Sequence, residues 1–171
     1  DRALSLYKID NQKEYEELER ARTIGLSDDT RQLSALAIAA TRADLVCLQE
    51  VDNIEALRAF EYGYLYKMIG RGYRNKHVST GNDSRGIDVA VMSREETRHG
   101  QPIEMKSVAS HASVTYEQFG LHTAELAAMG LGAHERIFKR DCLEVELDVG
   151  GRPFTLFLAH LKSMNGGKNG Q

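Results

Sequence analysis

Glu50, Asp88 and His160 are the side chains from which a chemistry can be read, because each stands where an apolar run meets a polar segment. Glu50 follows Leu45-Val46-Cys47-Leu48-Gln49, Asp88 precedes Val89-Ala90-Val91-Met92, and His160 ends the run through Leu158-Ala159. Strand ends are the usual place for a site in layered α/β folds. Alone, a glutamate or histidine at a strand end is equally a solvated cap or a hydrogen-bonded end residue. The neighbouring cations add weight. Arg85 lies just before Asp88, Arg140 just before the run opened by Cys142-Leu143, and Lys162 two residues past His160. On an extended chain that spacing turns Lys162 and His160 to the same face.

Carboxylates, an imidazole and cations at strand ends suit a phosphate ester. A guanidinium pairs with phosphate oxygens in bidentate fashion, and an imidazolium donates to developing negative charge. Arg85 and Arg140 also read as solvated surface arginines. Asp88 has three readings: orienting the histidine, assisting a metal, or pairing with Arg85. Ser163 has no base and acid grouped for a nucleophilic triad. His77, His111, His122 and His134 lack His-x-x-x-His spacing and read as surface residues. Cys47 and Cys142 sit in apolar runs without Cys-x-x-Cys spacing, which reads as core thiols and argues against a zinc site or a disulfide framework.

The elements that must position these residues follow from periodicity. Residues 10–22 read as an exposed helix or an ordered approach to one. Ser27-Asp28-Asp29 caps a second helix, in which Leu33, Leu36, Ala37 and Ala40 share a face that ends near Arg42. The continuous apolar run 45–48 predicts a strand covered on both faces. Residues 53–60 predict a short helix, 64–69 a short strand, and the polar, glycine-bearing stretch 70–84 a loop. Strands are expected at 87–93 and within 100–108, and a helix around 117–129. Leu143, Val145, Leu147 and Val149 alternate with acids, as in a strand with one wet face. Gly150-Gly151 then turns a tight hairpin into a return strand over 153–161, whose apolar content predicts deeper burial. The expected fold class is a layered α/β sandwich of mixed or antiparallel sheets flanked by helices, in one domain spanning 1–171.

Composition bounds the partners. With 42% hydrophobic and 27% charged residues the chain can bury a core. No apolar run approaches the roughly 20 residues needed to cross a bilayer, so no transmembrane segment is expected. A net charge of -3 gives no global attraction to polyanions, so any phosphate must be held by local residues. Compartment and oligomeric state have no signature in the sequence.

Four segments carry a resemblance. They are Leu48-Gln49-Glu50-Val51, the run from Arg85-Gly86-Ile87-Asp88-Val89 to Arg94, Lys139-Arg140-Asp141-Cys142-Leu143, and Ala159-His160-Leu161-Lys162-Ser163. Their types and order resemble successive motifs of the endonuclease/exonuclease/phosphatase superfamily, which has a deoxyribonuclease I-like fold. The resemblance implies a hydrolase cleaving a phosphodiester or phosphomonoester by in-line attack of water. Its substrate would be nucleic acid, a phospholipid head group or a small phosphate ester.

The resemblance also implies that Glu50 binds a catalytic Mg²⁺, with Mn²⁺ as the alternative, and that His160 contacts the scissile phosphate. From their own chemistry and placement, Asp88 joins His160 as a candidate catalytic residue, and Arg85, Arg140 and Lys162 are candidates for holding the substrate phosphate. The family's opening Asn-bearing strand, its Asp-x-Asn segment and its closing Asp-His pair are not found in these residues. The expectation is therefore a partial domain, incomplete at both ends and lacking its water-activating base, with residues 165–171 as a flexible loop or chain end. The contrasting expectation is a noncatalytic binding or scaffold module with the same fold. Chance matches within some other α/β protein would leave Glu50, Asp88 and His160 far apart.

Overall fold

The structure, a computed structural model, describes residues 11–161. It opens with α1 (Gln12–Thr41), a single helix where two were expected. Asn11 caps its start by accepting from the Glu14 backbone N–H at 3.0 Å, and Arg42, in the left-handed region at φ 52°, ends it. Ser27-Asp28-Asp29 starts nothing, because its capping groups are used inside the helix. The Asp28 carboxylate accepts from Gln32 at 2.7 Å and from the Tyr64 hydroxyl, while Thr30 returns its hydroxyl to the Leu26 carbonyl.

After β1 (Leu45–Val51), Asn53 caps α2 (Ile54–Phe60) at the Ala56 N–H, 2.8 Å away. The chain continues through a π-helical stretch (Glu61–Leu65) into α3 (Tyr66–Ile69), which Gly70 ends at φ 70°. The strand expected at 64–69 is thus helical. Leu57, Phe60, Tyr64, Leu65 and Ile69 all pack into the core with Ala35 and Tyr73, a helical spacing that strict alternation would divide between two faces. The expected loop 70–84 contains β2 (Asn75–Ser79), a polar strand stabilised by pairing with β3 (Asp88–Ser93). Then come β4 (Ile103–Ser110), a short α4 (Ala124–Ala128) in place of the expected longer helix, β5 (Cys142–Val149) and β6 (Arg152–Ala159).

The described residues are mixed α/β, with helices and two three-stranded antiparallel sheets ordered β1-β3-β2 and β4-β5-β6. All six residues of β3 are buried. Ala90 and Met92 pack with Leu57, Leu65 and Tyr73 beneath the helices. On the other face Val89 and Val91 join Ile103, Leu143, Val145, Leu147 and Leu158 of the second sheet. Each such side chain taken from water contributes roughly 1.5–3 kcal/mol, so the layers are held together through β3.

Gly150 and Gly151 turn the β5–β6 hairpin at φ 60° and 83°, as expected. The return strand is not deeply buried. Phe154 and Phe157 are 43% and 60% exposed on β6, the sheet's edge, where Leu158 is buried and Leu156 packs partly buried against the same core. Edge position also exposes Cys47 on β1, so of the two expected core thiols only Cys142 is buried. Among the described residues no helix is long and apolar enough to cross a membrane.

Candidate functional site

β1 pairs with β3 residue for residue until Gln49 faces Val89, after which Val51 faces Asp88 and Glu50 has no partner. Glu50 is therefore a bulge, and its φ of 60° lies in the left-handed region that a side chain disfavours. Such a conformation costs on the order of 1–3 kcal/mol and persists only where the surroundings impose it. Its effect is to aim the carboxylate outward, and the side chain is 68% exposed.

Gln49 ties the end of β1 to the end of β6 by donating its amide to the Ala159 carbonyl at 3.1 Å. The next residue on each strand is thereby brought close. Glu50 Oε1 lies 3.8 Å from His160 Nε2, although the two belong to different sheets. His160 is nearly buried, and its Nε2 also meets Arg140 Nη1. The two contacts make opposite demands, since the carboxylate favours imidazolium while a guanidinium can only donate and needs Nε2 as an acceptor. The closer, buried Arg140 contact decides for neutral imidazole with its proton on Nδ1. Burial first, then the Arg140 charge, hold the His160 pKa below its ordinary value against the pull of Glu50. Nδ1 is buried and has no hydrogen-bond partner.

Asp83, which the sequence reading passed over, organises the cations. It accepts from Arg85 Nη2 at 2.7 Å, from Arg85 Nε at 3.0 Å and from Arg140 Nε at 3.0 Å. These bonds, the Arg85 side chain foremost, hold its carboxyl well below the usual carboxylate range. Arg85, raised in turn by Asp83, keeps an exposed side chain, whereas Arg140 is almost fully enclosed. Asn82-Asp83-Ser84-Arg85-Gly86 did carry a signal, since Asp two residues before its backbone partner followed by Gly is turn chemistry. The Arg85 N–H donates to Asp83 Oδ1 at 3.0 Å, and Gly86 turns at φ 66°.

Asp88 is placed differently from all three of its readings. It is 5% exposed and accepts from the Gly81 N–H at 3.0 Å, holding the loop that carries Asp83, while Arg85 pairs with Asp83. At Gly81 a side chain would meet the Arg140 carbonyl oxygen at 3.0 Å, so the close approach of the two segments favours glycine. Asp141 is a second residue the sequence reading missed. Buried, it accepts from Ser79, from Ser110 and from the His111 N–H, joining the ends of β2, β4 and β5 beneath the site. Lys162 lies outside the described residues. His111, read as a surface residue, is half-buried and bonded to Glu144 at 2.6 Å.

Among the described residues no three His, Cys, Asp or Glu side chains gather as a metal site. Glu50 is a single solvent-facing carboxylate, and that donor suits a cation such as Mg²⁺, which keeps several waters and takes further oxygens from a phosphate. A cavity of about 730 Å³ between α1 and the helical segment that follows β1 includes none of the predicted site residues. A smaller pocket of about 230 Å³ opens beside His160 and Arg140.

No protein-family model, curated protein or solved structure matched the chain. Fold and site together define a mixed α/β chain whose sheet ends bear a strained, exposed carboxylate, a buried imidazole and two arginines on one aspartate.

Proposed function

We propose that the chain is part of a divalent-metal-dependent phosphoesterase with a deoxyribonuclease I-like layered sandwich, hydrolysing a phosphodiester or phosphomonoester by in-line attack of water. The observation that carries this reading is the approach of Glu50 to within 3.8 Å of His160, from separate sheets and on a strained bulge. Glu50 would hold Mg²⁺ or Mn²⁺, which when bound neutralises phosphate charge and orients the attacking water. His160 would contact the scissile phosphate beside Glu50, where charge grows as the ester bond breaks. Arg85 offers its exposed guanidinium to the phosphate, and Arg140 keeps the imidazole neutral and oriented. Asp88 acts through the loop it holds. Lys162 would reach the substrate from beyond the described residues. The water-activating base would come from an Asp-His pair outside these 171 residues.

The test is hydrolysis of bis-p-nitrophenyl phosphate by the protein at its full natural length, with Mg²⁺ or Mn²⁺ and after chelation. Glu50→Gln and His160→Ala should each lower kcat/KM by roughly 10²–10³-fold. Activity indifferent to both substitutions overturns the mechanism. No hydrolysis of any phosphate ester, with tight phosphate binding retained, would favour a noncatalytic module on the same fold.

A further inference from the structure

The pocket beside His160 has walls that differ in chemistry. His160 and Arg140 form its polar side, and Ile137, Phe138 and Leu161 supply an apolar one. The apolar wall is fixed in place. Ile137 donates its N–H to the Val114 carbonyl at 2.9 Å, and Asn82 donates its side-chain amide to the Phe138 carbonyl at 3.1 Å. Asn82 also holds the Arg140 carbonyl at 2.9 Å through its own N–H, and Arg136 bonds the Asn82 side-chain oxygen. The loop whose Asp83 clamps the arginines therefore clamps the wall as well, so wall and phosphate-facing groups keep one spacing. A phosphate held at His160 would place one of its ester groups against Ile137 and Phe138.

Resting on the phosphoesterase reading, we propose that this pocket is the subsite for the organic group of the ester and that it selects a compact, uncharged ring. Size argues for one ring with its substituents. A cavity of about 150 Å³ lined by aliphatic and aromatic side chains takes up benzene, and about 230 Å³ leaves modest further room. Charge argues against a quaternary ammonium head group, because Arg140 and Lys139 outnumber Asp141 in the lining, the Asp141 carboxylate is taken up by Ser79 and Ser110, and Phe138 is the single aromatic ring of Phe, Tyr or Trp type on it. Phe138, Ile137 and Leu161 are thus specificity-determining residues.

Three p-nitrophenyl diesters with a common leaving group test this: phenyl, methyl and phosphocholine. The expected order of kcat/KM is phenyl first by about tenfold over methyl, with phosphocholine last. Phe138→Ala and Leu161→Ala should each pull the phenyl-to-methyl ratio toward one. Leu161 is 76% exposed, so its variant folds even where the half-buried Phe138 variant does not. Calorimetric binding of phenyl phosphate against methyl phosphate provides a readout without turnover, with phenyl phosphate preferred and the preference lost in the same variants. A ratio and a binding preference that survive both substitutions overturn the subsite. Absence of hydrolysis alongside a ring preference that the variants abolish would overturn the catalytic reading and leave the subsite standing.

Discussion

Both ends of the first sheet carry an aspartate between two arginines, and the two arrangements do different things. At the end where β1 begins, Asp44 faces Arg94 at 3.7 Å and Arg98 at 3.8 Å. Everything around it closes backbone. Asp44 accepts the Arg98 N–H at 3.1 Å, its carbonyl accepts the Arg94 N–H, and Arg98 reaches the Arg42 carbonyl at 2.9 Å. Arg94 also lies over the Tyr73 ring. At the other end Asp83 grips Arg85 and Arg140 more tightly, at 2.7–3.0 Å, and one of those arginines leads on to His160 and the strained Glu50. An aspartate with two arginines is thus not by itself a site. Each end has a side chain at positive φ, Arg42 and Glu50, and a buried nitrogen without a hydrogen-bond partner, Arg94 Nε and His160 Nδ1. What separates them is that Arg42 ends a helix, whereas Glu50 interrupts a strand and turns a carboxylate outward beside an imidazole.

The largest test of that contrast is the loss of roughly 10²–10³-fold in metal-dependent hydrolysis expected for His160→Ala and Glu50→Gln, read as kcat/KM. Equal losses from Asp44→Ala would erase the distinction. Next comes the exchange of effects between the aspartates. Asp83→Ala should lower kcat/KM roughly tenfold by releasing Arg140 from His160, as loss of a supporting partner does. Asp44→Ala should instead cost about 1–2 kcal/mol in denaturant unfolding with little change in activity.

A smaller effect sharpens the meaning of the bulge. Glu50→Gly relieves the left-handed backbone and should raise stability by about 1 kcal/mol while abolishing hydrolysis, a change of opposite sign in two assays. The smallest is a change in acid sensitivity. Asp83 is depressed in the folded state relative to an unfolded carboxylate near pH 4, so the folded state binds fewer protons there. Its stabilisation is complete above about pH 4–5 and is lost as pH falls toward the folded value. Thermal unfolding of Asp83→Asn should accordingly depend less on pH below 5 than that of the parent chain, with no difference between their slopes near neutrality.

Much of the candidate site lies at positions legible in one dimension, because strand ends announce themselves. Glu50, Arg85, Arg140 and His160 all flank apolar runs, and all four meet in the fold. Asp83 was overlooked because its residue type reads as turn chemistry, and its second partner, Arg140, is distant along the chain. Asp88 was found, but its work could not be read, since a carboxylate at a strand start has no visible partner until the loop above it is folded.

The same division holds for the elements. Local pattern determined what depends on neighbours in sequence: the alternating face of β5, the glycine pair at its hairpin, the Asn-capped α2 and the apolar run of β3. Tertiary structure decided what depends on neighbours in space. Pairing with β3 made a strand of the polar residues 75–79, and packing over Ala35 kept residues 64–69 helical. Edge position left Phe154, Phe157 and Cys47 exposed despite strands as apolar as buried ones. The physical reason is common to all of them. Backbone hydrogen bonds and side-chain burial are satisfied by whichever partner arrives, and periodicity records a segment's preference without recording who that partner is. The register slip at Glu50, which turns an ordinary glutamate into an exposed and strained one beside His160, belongs wholly to that second kind of information.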